Sequence, residues 1–174
     1  MLTALSIRDI VLVDVLDLEV RDGLTVLTGE TGAGKSIILD ALGLALGARG
    51  DAGLVRHGAK QATATAVFTA PDDPALIDLL AERGFEVAPG EELILRRVVT
   101  ADGRSRAFVN DQPAGVTALR DIGQALVEVH GQHETVGLLD WKTHRALLDT
   151  YGGVQPQLSA VAAASEILKA ADRA

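Results

Sequence analysis

"TVLTGETGAGKSIILDALGLALG", residues 25–47, is the stretch whose reading decides the fold. Gly29, four intervening residues, then Gly34, Lys35 and Ser36 satisfy the pattern G-x-x-x-x-G-K-[ST], which carries meaning only between a strand and a helix. Both flanks comply. "GLTVLTG" in front is mostly apolar and ends in glycine, as expected of a strand buried on both faces. Behind it, Ile37, Ile38, Ala41, Leu42, Leu44, Ala45 and Leu46 place apolar side chains around most of a helix, and Gly47 stands where that helix would end, so it should be largely buried. The glycines at 29, 32 and 34 let successive backbone N–H groups point inward, and the helix N-terminus adds partial positive charge at the same spot. The loop Gly29, Glu30, Thr31, Gly32, Ala33, Gly34, Lys35 and Ser36 is therefore a phosphate cradle, with ATP and Mg²⁺ the expected ligands. Lys35 would reach the β- and γ-phosphates, and Ser36 would give its hydroxyl to the ion. A glycine turn opening an ordinary helix would explain neither the Lys-Ser pair nor the apolar run before it.

Working outward, Leu5 and Ile7 alternate with Ser6 and Arg8, then Leu16, Leu18 and Val20 with Asp17 and Glu19, which reads as a hairpin of half-buried strands. Beyond a Gly- and Arg-containing loop at 47–60, "ATATAVFTA" is a strand and "DPALIDLLAERG" a helix capped by Asp73, begun by Pro74 and ended by Gly84. "ELILRRVVT" and "SRAFVND" are strands joined through "ADGR", whose Asp-Gly pair signals a hairpin. Residues 115–124 read as a helix, "ALVEVHG" as another apolar strand, and 140–149 as a short helix closed by "YGG". Trp141 would anchor that helix to the core. In the tail, Val154, Leu158, Val161, Ser165 and Leu168 alternate spacings of four and three, the seam of a coiled coil whose helix should begin at Pro156. A surface helix packed on its own domain would show the same spacing. No glycine or proline stops the helix, so the chain is expected to be a piece of something longer. The expected division is a nucleotide-binding segment over 1–150 and the start of a coiled-coil helix over 151–174.

Composition narrows the class. With 174 residues and 48% apolar content, one compact domain can bury a core, and the absence of cysteine excludes a disulfide framework and thiolate zinc sites. No signal peptide or membrane-spanning run is visible, which points to the cytoplasm and no membrane partner. A net charge of -8 does not advertise a nucleic-acid binder, so any such role rests on local patches. Three are visible: Arg49, Arg56, His57 and Lys60; Arg96, Arg97, Arg104 and Arg106; and Lys142, His144 and Arg145. The plainer reading of each taken alone is solvated surface charge balanced by nearby acids.

A cradle alone does not hydrolyse ATP. Hydrolysis needs a second Mg²⁺ ligand, usually an Asp ending an apolar strand, and a group that orients the attacking water. "ALIDLLAE" has helical spacing, "ALVEVHGQHE" ends in His-Gly-Gln-His, and no apolar run is followed by Asp-Glu anywhere in the chain. His130 and His133 flank Gln132, but no third ligand accompanies them and Gly131 would break a helix that aligned them, so a metal site is not expected there.

"ETGAGKSIILDALGLALGARGDAGLVRHG" together with "FVNDQPAGVTALRDIGQALVEVHGQHE" resembles the N-terminal part of the RecN family, bacterial DNA double-strand-break repair proteins related to the SMC family. The resemblance implies an α/β fold: the N-terminal half of a P-loop ABC-type ATPase head, a mixed sheet with helices, running into a coiled-coil helix. In that family the head is split, and the C-terminal half brings the signature motif and the acidic strand. The resemblance also implies a homodimer through ATP-sandwiched heads, DNA as partner and a nucleoid-associated location. By position, Gln132 corresponds to the Q-loop glutamine touching Mg²⁺ and the attacking water, which with Lys35 forms the catalytic pair. Arg8 and Arg56 correspond to basic residues near the nucleotide, and Arg49, Arg56 and Lys60 would face DNA. Asp9 stands where the resemblance would place an asparagine.

Three rivals differ in sequence signals. A transporter's nucleotide-binding domain commonly stacks the adenine on an upstream aromatic, and none precedes Phe68 here. A small P-loop kinase would need an Arg-rich lid and a complete Mg²⁺ site in one chain. A scaffold with a vestigial site would not be expected to keep Lys35 and Ser36.

Overall fold

The computed structural model describes residues 1–29, 34–69, 71–88, 90–127, 129, 144–145, 148–149 and 151–172. Within Met1–Glu128, strands β1 (Leu2–Ile10), β2 (Val13–Glu19), β3 (Gln61–Phe68), β4 (Leu93–Thr100), β5 (Ser105–Val109) and β6 (Gln112–Ala114) form a sheet in the order β2-β1-β3-β4-β5-β6. Every pairing is antiparallel. The predicted first hairpin is β1–β2, with Leu5 opposite Leu18 and Ile7 opposite Leu16. The Asp-Gly hairpin joins β4 to β5 as expected, with Gly103 at φ 84. A second turn was not anticipated. Asn110 and Asp111, at φ 44 and 62, form a left-handed pair between β5 and β6, two residues that tolerate this conformation better than most. Asn110 also accepts from the Ile94 N–H at 2.6 Å and donates to the Glu92 carbonyl at 3.1 Å, which ties the turn to the start of β4.

One face of the sheet is the core face. Its residues, Leu5 and Ile7, Ala62, Ala64 and Ala66, Leu93, Leu95 and Val99, then Ala107 and Val109, are all buried. Helix α1 (Lys35–Ala45) packs on β1, β3 and β4; α3 (Val116–Leu126) packs on β5 and on α2 (Pro74–Glu82). The three alanines of β3 meet a helix that itself buries Ala41 and Ala45, so small side chains let α1 lie close to the sheet. Helix α2 begins as its sequence dictates: the Asp73 carboxylate accepts from the Ala75 N–H at 3.0 Å and Pro74 takes the first position. The end of α1 meets α3 backbone to backbone. A Cβ on Gly47, whose φ is 91, would stand 2.6 Å from the Arg120 nitrogen, and one on Gly123 would stand 2.6 Å from the Leu46 carbonyl oxygen. Only glycine fits either position.

Two expected strands differ. Residues 23–29 take no strand conformation, and Leu24, Val26 and Leu27 are exposed, because no other described strand lies beside them to pair with. Of "ALVEVHG", Ala125 and Leu126 belong to α3 and Val127 caps it, bonding back to the Gly123 carbonyl at 3.0 Å, so the helical periodicity continues through the apolar run; Val129 is also outside any strand, and the rest lies outside the described residues. Helix α1 is buried along one face instead of all round, and Leu39 is exposed.

The second unit covers Val129–Ala174. His144, Arg145, Leu148, Asp149 and Tyr151 are helical, with Arg145 paired to Asp149 at 3.5 Å, and Gly153 at φ 62 closes the turn as the "YGG" signal implied. Helix α4 (Gln155–Asp172) follows, one residue ahead of Pro156. Along its seam, Val154, Leu158 and Ser165 are half-buried, while Val161 and Leu168 are exposed. Trp141 lies outside the described residues. None of the described helices is long and apolar enough to cross a membrane.

Candidate functional site

The start of α1 is built for an anion. Gly34, at φ 131, takes the N-cap position without a side-chain cap bond, and the first turn of the helix holds no acidic residue. The first N–H groups therefore keep their donor capacity for a ligand, and the helix macrodipole adds to it. Lys35 opens the helix and folds its ammonium back to donate to the Gly29 carbonyl. The two ends of the motif are thus brought together by a lysine long enough to cross the loop. Ser36 is exposed at the first turn. Glu30, Thr31, Gly32 and Ala33 lie outside the described residues, as do Gln132, His130, His133 and Lys142. An ammonium, a hydroxyl and an uncapped helix start are the donor set that a phosphate chain with its Mg²⁺ requires.

Arg8 is committed to its own hairpin. Its guanidinium donates to the Ile7 and Leu16 carbonyls at 2.9 and 3.2 Å and meets Asp17 at 2.8 Å. Asp17 also accepts from the Ser6 hydroxyl at 2.5 Å; that hydrogen bond first, then Arg8, holds its carboxyl below the usual aspartate value. At the turn's hydroxyl, Thr100 in turn keeps Asp102 below the usual value, helped by the Arg104 N–H.

Arg56 stands at the mouth of an open hollow of about 390 Å³ lined by Asp9, Arg56, His57, Gly58, Ala59, Lys60 and Gln61. Its loop, with a single 3-10 turn at Ala52–Leu54, is fastened to the end of β1 by two backbone bonds, Val11 N–H to the Leu54 carbonyl at 3.0 Å and Arg56 N–H to the Asp9 carbonyl at 2.9 Å, which together make an Ile10–Val55 bridge. The turn there requires left-handed backbone at Asp9, φ 53, and at Val11, φ 50. Asp9 meets that requirement nearly as well as asparagine, which accounts for the residue type at this position. The Arg56 guanidinium faces Asp9 at 3.7 Å and Asp14 at 3.4 Å. Of the residues expected to face DNA, Arg56 and Lys60 share this hollow, whereas exposed Arg49 does not line it.

Strand alternation scatters the second basic group. Arg96 points to the open face, over the Phe108 ring at 4.4 Å and against Asp111 at 2.6 Å; Arg104 pairs with Asp102 at 3.3 Å in the turn. Arg97 points the other way and is only 3% exposed, its side chain giving one hydrogen bond, to Ser105 at 2.9 Å, while its Nε and other terminal nitrogen have no partner. Burial first, and then the neighbouring Arg120, push its pKa down from the usual arginine value. The local sequence gives opposed signals: the apolar alternation of "LILRRVV" makes Arg97 an interior position, whereas an Arg-Arg pair reads as surface charge.

Residues 4–83 match the family model described as AAA domain. The chain is 44% identical over 156 residues to the DNA repair protein RecN of Vibrio cholerae, covering 88% of this chain and 27% of that protein. It is 46% identical over 154 residues to DNA repair protein RecN of Halalkalibacterium halodurans, again 88% of this chain and 27% of the relative. The chain thus spans about a quarter of the length of the curated relatives it matches. Among solved structures, one concerned with ATP-driven dimerization and DNA-stimulated activation of SMC ATPases superposes with a TM-score of 0.59 at 24% identity, over 78% of this chain and 85% of that one. That similarity establishes the fold: an SMC-type head, N-terminal half.

Proposed function

We propose, from the likeness to RecN DNA repair proteins over most of this chain, that the chain belongs to the RecN family and is the ATP-binding N-terminal segment of an SMC-like head ATPase in double-strand-break repair and recombination, whose hydrolytic acids come from a C-terminal half of the same head. The observation that carries this reading is the pairing of an anion-ready helix start with an exposed apolar run just before it. Leu24, at 93% exposure, and Val26, at 68%, are residues that a central strand would bury. Burying such side chains is worth about 1.5–3 kcal/mol each, so a missing neighbouring strand is the simplest account of their exposure.

In this reading Lys35 binds the β- and γ-phosphates, Ser36 and Gln132 hold Mg²⁺, and Gln132 orients the attacking water. Bound ATP and Mg²⁺ supply the phosphoryl group and the charge neutralisation; this chain's part is to position them. Arg8 and Arg56 lie near the nucleotide, Arg49, Arg56 and Lys60 are turned toward DNA, and two heads close on ATP as a homodimer. The site of action is the bacterial cytoplasm, on the nucleoid.

The test uses the 174-residue chain and a separately produced C-terminal half. Alone, the chain should bind ATP weakly and turn over essentially none; mixed with the other half it should hydrolyse ATP, and Lys35→Ala should abolish that activity. Turnover by the pure chain, itself removed by Lys35→Ala, would refute the split-site reading.

A further inference from the structure

We propose that the hollow bounded by Asp9, Arg56, His57, Lys60 and Gln61 receives a backbone phosphate of a nucleic-acid strand, and that Asp9 and Asp14 form an acid clamp which the phosphate displaces from Arg56. The proposal rests on the reading of Arg56 and Lys60 as DNA-facing and adds to it the site's remaining donors and its regulation.

The position of Arg56 is fixed while its side chain is not. Two backbone hydrogen bonds, which together form the Ile10–Val55 bridge, hold the loop to the end of β1. The guanidinium sits 3.7 and 3.4 Å from the two carboxylates, longer than the roughly 2.7–2.9 Å of a charge-assisted hydrogen bond. Both pairs are substantially exposed to solvent, where such contacts are weak. Arg8 provides the contrast within the same hairpin: its contact with Asp17 is 2.8 Å and reinforced by two carbonyls and by Ser6. One arginine is locked and the other is merely held.

Around the held arginine the donors converge. A guanidinium, an ammonium, an imidazole and a carboxamide line one concavity together with Gly58, Ala59 and the Asp9 carboxylate. A phosphate diester can take two parallel N–H bonds from a guanidinium, which the distant carboxylates do not. In a chain carrying a net charge of -8, the clamp keeps Arg56 neutralised until a correctly placed phosphate competes for it.

The measurement is fluorescence anisotropy of a labelled single-stranded oligothymidylate titrated with the 174-residue chain at several salt concentrations. Asp14→Asn should tighten binding by about two- to fivefold. The slope of log K against log salt should stay close to the parent's, because the bound strand makes the same phosphate contact in both, whereas Arg56→Gln should shallow it by about 0.7 on a single strand. Asp78→Asn, an exposed site on α2 with the same charge change, should leave affinity unchanged. Arg56→Gln should weaken binding and erase the gain in the Asp14→Asn/Arg56→Gln double variant. If Arg56→Gln and Lys60→Ala both leave affinity unchanged, the DNA-facing reading of this loop is wrong. If they weaken it but Asp14→Asn behaves like Asp78→Asn, the clamp alone is overturned. A gain for ATP in place of the oligonucleotide would assign the hollow to the nucleotide and overturn the strand assignment.

Discussion

Arg97 concentrates the conflict between sequence pattern and side-chain chemistry in one residue. It occupies an interior position of β4 between Ala64 and Ala107 on the neighbouring strands, both small enough to leave room for its long side chain. A buried guanidinium with two unpartnered nitrogens and a second arginine nearby carries a desolvation cost that one hydroxyl does not offset. Arg97→Met should therefore leave the chain as stable or raise its stability, within about 1–4 kcal/mol, as measured by urea unfolding at neutral pH. A loss of more than about 1 kcal/mol would mean that the guanidinium is compensated after all. Lys35 presents the opposite case: the role proposed for it comes from the motif, because the pattern states both the residue and the backbone around it.

Among the elements, α1 carries the nucleotide motif at one end and a glycine-mediated crossing with α3 at the other. A glycine inside α1 and one at its crossing with α3 meet unequal demands. In the interior, a Cβ on Gly43 would meet the Ala48 Cβ at 3.7 Å, an ordinary contact, so Gly43→Ala should stabilise the helix by about 0.5–1 kcal/mol through lower backbone entropy in the unfolded chain. At the crossing, Gly123→Ala would force a Cβ to 2.6 Å from the Leu46 carbonyl oxygen and should cost about 1–3 kcal/mol. Thermal unfolding of the two variants side by side separates these signs; equal shifts would show that the crossing can relax. The periodicity of "SIILDALGLAL" announced the helix, but no local signal distinguishes Gly43 from Gly123. The difference lies in which backbone approaches each one.

For the molecule as a whole, the exposed run 23–29 marks where this chain ends as a self-sufficient packing unit. Val26→Lys should change the stability of the isolated chain by no more than about 0.5 kcal/mol, since Val26 is 68% exposed here. In a full-length protein in which that run is a central strand, the same charge should prevent the two halves of the head from assembling, measured by co-purification of separately tagged halves. Assembly at wild-type yield would remove the run from the interface. By itself the sequence determined the elements whose signals are local: the β1–β2 alternation, Asp73 and Pro74 at the start of α2, the Asp-Gly turn, and a helix opening at the Lys-Ser pair of the motif. Tertiary structure decided what depends on neighbours distant in the chain. A strand exists only if another strand supplies its hydrogen bonds, so "GLTVLTG" takes no strand conformation beside the described sheet. A basic cluster exists only if strand alternation and loop docking bring the charges together, which separated Arg96 from Arg97 and joined Arg56 to Lys60, Asp9 and Asp14.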